Sequence, residues 1–95
     1  MKKNCATLNL SGCQYIDELH DRIEKALCFP EHYGRNLDAF WDCLNSDCEI
    51  AFVSIIGSDT VAENLKPTVK IILELFEENK KDWADSDCPF DYEVL

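Results

Sequence analysis

Glycine is scarce in this chain, with three in 95 residues. That leaves no glycine-rich loop to cradle phosphates, so a nucleotide-binding reading has no motif to start from. Positive charge is also short: 9 Lys and Arg stand against 19 Asp and Glu, a net charge of −10. A field of that sign repels nucleic acid and anionic membranes and draws in basic partners. Neither nucleic acid nor membrane is therefore an expected partner. No apolar run approaches the roughly 20 residues of a membrane-spanning helix. The start, Met1-Lys2-Lys3-Asn4-Cys5, is charged, but polar Asn9 and Ser11 interrupt the apolar stretch after it, which makes it a poor export signal. The expected location is the cytoplasm.

A catalytic or metal-binding constellation is lacking as well. There are two histidines, and no two cysteines form a C-x-x-C pair. Cys43 and Cys48, the nearest cysteines, fall across an expected helix end with no histidine close by. All six (Cys5, Cys13, Cys28, Cys43, Cys48 and Cys88) are expected to be reduced thiols, buried as small hydrophobes and holding no metal. His20 falls in a helix that reads as structural, and His32 in a loop that reads as contact surface. Neither sits beside a nucleophile or a carboxylate pair in a recognisable arrangement, so no enzyme and no cofactor are expected.

What is present is an ordinary apolar content of 46%, enough for one core in a single domain spanning residues 1–95. Ala6 to Leu10 alternates apolar and polar as a strand does, closed by Ser11-Gly12. From Tyr15 the period changes: Ile16, Leu19, Ile23 and Leu27 recur at helical steps, and Pro30 is expected to end that helix. Asn36 is a good N-cap for a second, short helix reaching about Leu44. Glu49 to Ile56 is apolar and β-branched, the composition of a buried central strand. A helical region extends from about Val61 to Asp82, divided by a turn near Pro67, with Val69, Ile72, Leu73 and Phe76 as its core stripe. Asp85 to Pro89 reads as a loop, and Phe90 to Leu95 as a last strand. Strands separated by helices predict an α/β fold, a three-stranded parallel sheet packed against helices.

The short helix carries the informative pattern. Leu37, Phe40, Trp41 and Leu44 form its core stripe, while Asp38 and Asp42 stand four residues apart beside it. Like charges at that spacing repel by a few tenths of a kcal/mol. Asp38 is partly compensated by the positive end of the helix dipole, but Asp42 is not. From Asn36 through Leu65 there are six acids and no Lys or Arg. A face that tolerates internal repulsion without a counter-charge suits an external cation, although a solvated surface explains charge alone. Glu74, Glu78 and Asp82 make a second acidic column, with Glu77 expected to pair with Lys81.

The stretch Pro30-Glu31-His32-Tyr33-Gly34-Arg35-Asn36-Leu37-Asp38-Ala39-Phe40-Trp41-Asp42-Cys43-Leu44 closely resembles the signature of barstar, the ribonuclease inhibitor. The order of elements along the chain agrees with that family. The resemblance implies inhibition by occluding the basic active site of a barnase-like secreted ribonuclease or related toxin, by a chain that is monomeric when free. It implies that Asp42 enters the enzyme's phosphate pocket, that Asp38 and Trp41 flank it, and that Glu78 contributes from the later helix. His32, Asn36 and Asn45 complete the expected contact surface. The chain departs from the family pattern at His32 (a tyrosine there), at Arg35 (an acid there) and at Asn45-Ser46-Asp47 (threonine, glycine and an aromatic there). These departures bear on which enzyme is bound. The alternative is an interaction or immunity module of the same fold whose basic partner is not a nuclease.

Overall fold

The computed structural model describes residues 4–31, 33–47, 50–86 and 89–95. Its elements follow the expected order: strand β1 (Asn4–Asn9), helix α1 (Ile16–Ala26), helix α2 (Leu37–Asp42), a π-helical turn (Cys43–Asp47), strand β2 (Ile50–Ile56), a 3-10 turn (Glu63–Leu65), helix α3 (Lys66–Trp83) and strand β3 (Asp91–Val94). The strands form one sheet in the order β1-β2-β3, and both pairings are parallel. The α/β class and the three-stranded parallel sheet predicted from sequence are therefore observed.

Register fixes which residues face the helices. Leu8 lies opposite Ile55, Ala6 opposite Val53 and Val53 opposite Tyr92. Leu8, Val53 and Ile55 are completely buried. The alternate set, Thr7, Ser54 and Glu93, forms a second row across the sheet. Thr7 and Glu93 are exposed, so the helices cover one face only. The hydroxyl of Ser54 donates to the Glu93 carboxylate at 2.7 Å on that open side. β2 ends at Gly57, whose φ is +71°. A Cβ there would lie 2.7 Å from the Ser11 backbone, so only glycine allows the two strand ends to close up.

The helix ends differ in mechanism from the sequence reading. Pro30 does not terminate α1. The chain turns two residues earlier, at Cys28, which adopts a left-handed φ of +56°. The Leu27 amide bonds to the Ile23 carbonyl and the Phe29 amide to the Glu24 carbonyl, both at 3.0 Å. The reversal buries Leu27 and Phe29 on either side of an exposed Cys28. Asn36 caps α2 as expected, its Oδ1 accepting the Ala39 amide at 2.8 Å. Pro67 sits in the first turn of α3, where its missing N–H removes no helical bond.

An aromatic chain crosses the core. Centroids lie 5.1 Å apart for Phe29–Tyr33, 6.1 Å for Phe29–Phe40 and 5.5 Å for Phe40–Phe76. Phe76 then stacks on Phe90 at 6.0 Å and on Tyr92 at 5.8 Å. Side-chain contacts thus tie α2 to α3 and α3 to β3. The thiols are less uniform than expected: Cys13 is buried and Cys43 half-buried, but Cys5 and Cys28 are exposed. Cys5 lies on the uncovered side of β1, and Cys28 at the outward bend after α1. Cys48 and Cys88 lie outside the described residues.

Candidate functional site

α2 is short because its anchors are few and strong. Phe40 and Leu44 are completely buried, whereas Leu37 and Trp41, expected in the same stripe, are only half-buried. Six helical residues followed by a widened π turn rotate the stripe, leaving Trp41 at the boundary between core and solvent. Asp38 and Asp42 point the other way and are exposed. Among the described residues, neither takes part in a salt bridge or a side-chain hydrogen bond.

Most described cations are engaged elsewhere, and Lys70 on α3 is exposed with no ion pair among the described residues. Lys25 reaches Asp21 at 3.0 Å, Lys66 reaches Glu63 at 3.0 Å and Lys80 reaches Asp91 at 3.2 Å. Arg22 donates to the carbonyls of Asn9 and Ser11 at 3.1 and 2.9 Å, pinning the loop after β1. Lys81 lies 4.0 Å from Glu78, both side chains well exposed, a contact worth little in water. The expected Glu77–Lys81 pair is absent: Glu77 is turned toward the sheet and accepts the Tyr92 hydroxyl at 2.9 Å.

α2 and α3 meet along a seam with two ties. In the core, Phe40 packs edge-on against Phe76. Nearer the surface, Asn45 in the π turn donates one amide hydrogen to Asn79 Oδ1 and the other to Asp82 Oδ2, each at 3.1 Å. Asp42 lies between Phe40 and Asn45 along the first helix, and Glu78 between Phe76 and Asp82 along the second. Across the seam Asp82 accepts from Asn45, while Asp42 on α2 and Glu78 on α3 are exposed.

The family model described as Barstar (barnase inhibitor) matches residues 4–94. The chain belongs to the barstar family. The chain is also similar to a Bacillus subtilis (strain 168) protein named "Putative ribonuclease inhibitor YrdF", at 32% identity over 71 residues, covering 74% of this chain and 78% of that protein. Membership assigns a barnase-inhibitor-like role and implies a ribonuclease partner. No helix among the described residues is long and apolar enough to cross a membrane.

Within this barstar-family chain, the expected contact residues fall into three groups. Asp38 and Asp42 on α2 and Glu78 on α3 are exposed, and Trp41 on α2 is half-buried. Asn36 and Asn45 have side chains committed to internal hydrogen bonds, the first as a cap and the second as the bridge to α3. His32 lies outside the described residues. Arg35, expected beside the binding face, is turned toward α1: it donates to the Asp17 carbonyl at 3.2 Å and lies 3.4 Å from Asp21 and 3.2 Å from Glu24. A left-handed φ of +53° at Arg35 directs the side chain there.

Two polar residues are buried: His20, in the helix read from sequence as structural, and Asn79, which escaped that reading. His20 is 3% exposed, its Nδ1 lying 2.7 Å from the Tyr33 hydroxyl. Burial, reinforced by the Arg35 charge, holds its pKa below the ordinary histidine value. The Tyr33 hydroxyl is pushed upward, mainly by burial. Asn79 is completely buried on α3. Its position three residues after Phe76 continues the stripe Val69, Ile72, Phe76, and that spacing was the available signal.

Proposed function

We propose that this chain inhibits a basic, barnase-like ribonuclease by laying the acidic seam of α2 and α3 over its active site. In this reading Asp42 is the central carboxylate, standing in for a substrate phosphate. Asp38 and Trp41 flank it, Glu78 approaches from α3, and His32, Asn36 and Asn45 border the contact. The observation that carries the proposal is the state of Asp38 and Asp42. Both are exposed, four residues apart on one helix, and without a cation among the described residues to neutralise them, in a chain of the barstar family. Arg or His groups in an enzyme's phosphate pocket would meet them with charge-assisted hydrogen bonds. The free inhibitor is a monomer without cofactor, acts in the cytoplasm, and serves as the immunity partner of a secreted nuclease or related toxin.

The test is a titration of the chain against barnase, with RNA hydrolysis as readout and stopped-flow rates for the complex. Wild type should abolish hydrolysis at equimolar concentration. Asp42→Ala should weaken binding by about 2–5 kcal/mol, the range for removing one member of a buried ion pair, or about 30-fold or more in Kd. Glu78→Ala should cost less, because its helix meets the rim. Salt should slow association far more than it changes dissociation, since the attraction is screened beyond about 10 Å at 0.1 M ionic strength. Unimpaired inhibition by Asp42→Ala would remove this face from the mechanism. Capture of a basic non-nuclease by the same aspartates would favour the general interaction module.

A further inference from the structure

A carboxamide in a core position carries two donors and an acceptor that water can no longer reach. Asn79 is 0% exposed, and its Oδ1 accepts from Asn45. Its Nδ2 has no partner among the described residues. Such an unmatched donor lowers stability, and an apolar side chain of similar size would avoid that penalty. What the asparagine supplies is the acceptor. Asn45 Nδ2 divides its hydrogens between Asn79 Oδ1 and Asp82 Oδ2, two residues one turn apart on the same side of α3. The bridge therefore fixes both the distance and the rotation of the segment that bears Asn45.

That segment is the π-helical turn Cys43–Asp47, which begins immediately after Asp42. A π turn holds one residue more per turn than the α-helix preceding it, and such turns are rare and concentrated at functional sites. Freed from α3, the turn can tighten toward α-helical geometry, rotating Asp42 and Trp41 relative to Glu78.

We propose that Asn79, too deeply buried to touch a partner, is the positioning residue of the acidic face. Through Asn45 it holds the π turn open against α3, so that Asp42 on one helix and Glu78 and Asp82 on the other are presented as one rigid surface. The proposal rests on the reading that this face binds a ribonuclease.

The experiment compares wild type, Asn79→Leu, Asn45→Ala and the double variant. The measurements are thermal stability, amide hydrogen exchange across residues 43–47, and stopped-flow binding to barnase. Asn79→Leu removes the unmatched donor, keeps the branching and number of side-chain heavy atoms, and raises helix propensity, so its Tm should equal or exceed that of wild type. In the same protein, exchange at the turn should quicken and the complex should dissociate about tenfold faster, the effect of one lost hydrogen bond. Association should be unchanged because net charge is unchanged. Asn45→Ala should reproduce the faster exchange and dissociation, and the double variant should be no worse than either single one. If Asn79→Leu does not fold, Asn45→Ala carries both measurements. Wild-type exchange and dissociation in Asn79→Leu and Asn45→Ala, with Asp42→Ala still impaired, would overturn the role of Asn79 and leave the inhibitor reading intact. Failure of wild type to bind barnase would instead strike the inhibitor reading, and exchange at the turn would still decide whether Asn79 holds it.

Discussion

Arg35 makes opposing contributions to stability that substitution can separate. Its side chain, 40% exposed, lies 3.4 Å from Asp21 and 3.2 Å from Glu24, and it donates to the Asp17 carbonyl at 3.2 Å. At that exposure each ion pair contributes about 0.2–1 kcal/mol, and the carbonyl bond about 1 kcal/mol at most. Arg35→Ala should therefore cost about 1–2 kcal/mol. The left-handed backbone, φ +53°, is strained for any residue with a Cβ by roughly 1–2 kcal/mol. Alanine retains that strain and glycine removes it, so Arg35→Gly should fall within about 1 kcal/mol of wild type. Arg35→Glu should be worst, since it loses the bonds and adds repulsion from Asp21 and Glu24. The assay is urea denaturation followed by circular dichroism, at low salt and at about 0.5 M salt. The gap between wild type and alanine should narrow with salt, because ion pairs are screened, and the gap between alanine and glycine should not. Alanine as stable as wild type, or glycine less stable than alanine, would refute the reasoning.

Stability should also depend on pH through His20. Its folded pKa lies below the unfolded value of about 6.5, so the fold binds fewer protons than the unfolded chain. Stability is then full above about pH 6.5 and is lost as pH falls below it. Urea melts at pH 7.5 and 5.5 should show that loss in wild type and a smaller one in His20→Gln; identical losses would exonerate the histidine. Phe40→Ala should cost about 3–5 kcal/mol, a large share of the roughly 5–15 kcal/mol expected for a whole domain. Asp38→Ala and Asp42→Ala should melt at or slightly above wild type, since each removes a like-charge neighbour. A sharp drop in their Tm would make these carboxylates structural. Alkylation of the folded protein followed by peptide mass spectrometry should label Cys5 and Cys28 long before Cys13. Cys13 is completely buried, and its thiol pKa is raised by burial and by its hydrogen bond to Glu18.

Much of this fold was legible because periodicity reports burial directly. Leu19, Ile23 and Leu27 announce α1, and the β-branched run through Ile56 announces the central strand. Asn36 was readable as a cap because its role is local, a bond to an amide three residues on. What escaped depends on contacts between distant segments. Cys28 ends α1 in a conformation usual for glycine, and no composition rule singles it out. Arg35 is adjacent in sequence to the acidic helix, yet its side chain answers acids on α1, a link made only by tertiary packing. Asn45 looked like surface, and its amide is held by two residues on α3. In the site, the carboxylate pair was visible at its four-residue spacing, but the bridge that fixes Asp42 relative to Glu78 was not.

The order of strands in the sheet repeats their order in synthesis. A growing chain can pair β1 with β2 and place Phe40 near Phe76 before residues 90–92 exist. Phe76 lacks Phe90 and Tyr92 until β3 lies down beside β2. The helix that bears Glu78 thus gains the contacts of Phe76 with Phe90 and Tyr92 only once residues 90–92 are made. On the reading that the acidic face binds a ribonuclease, tight capture should need residues 90–92, and chains that stop short of them should bind weakly.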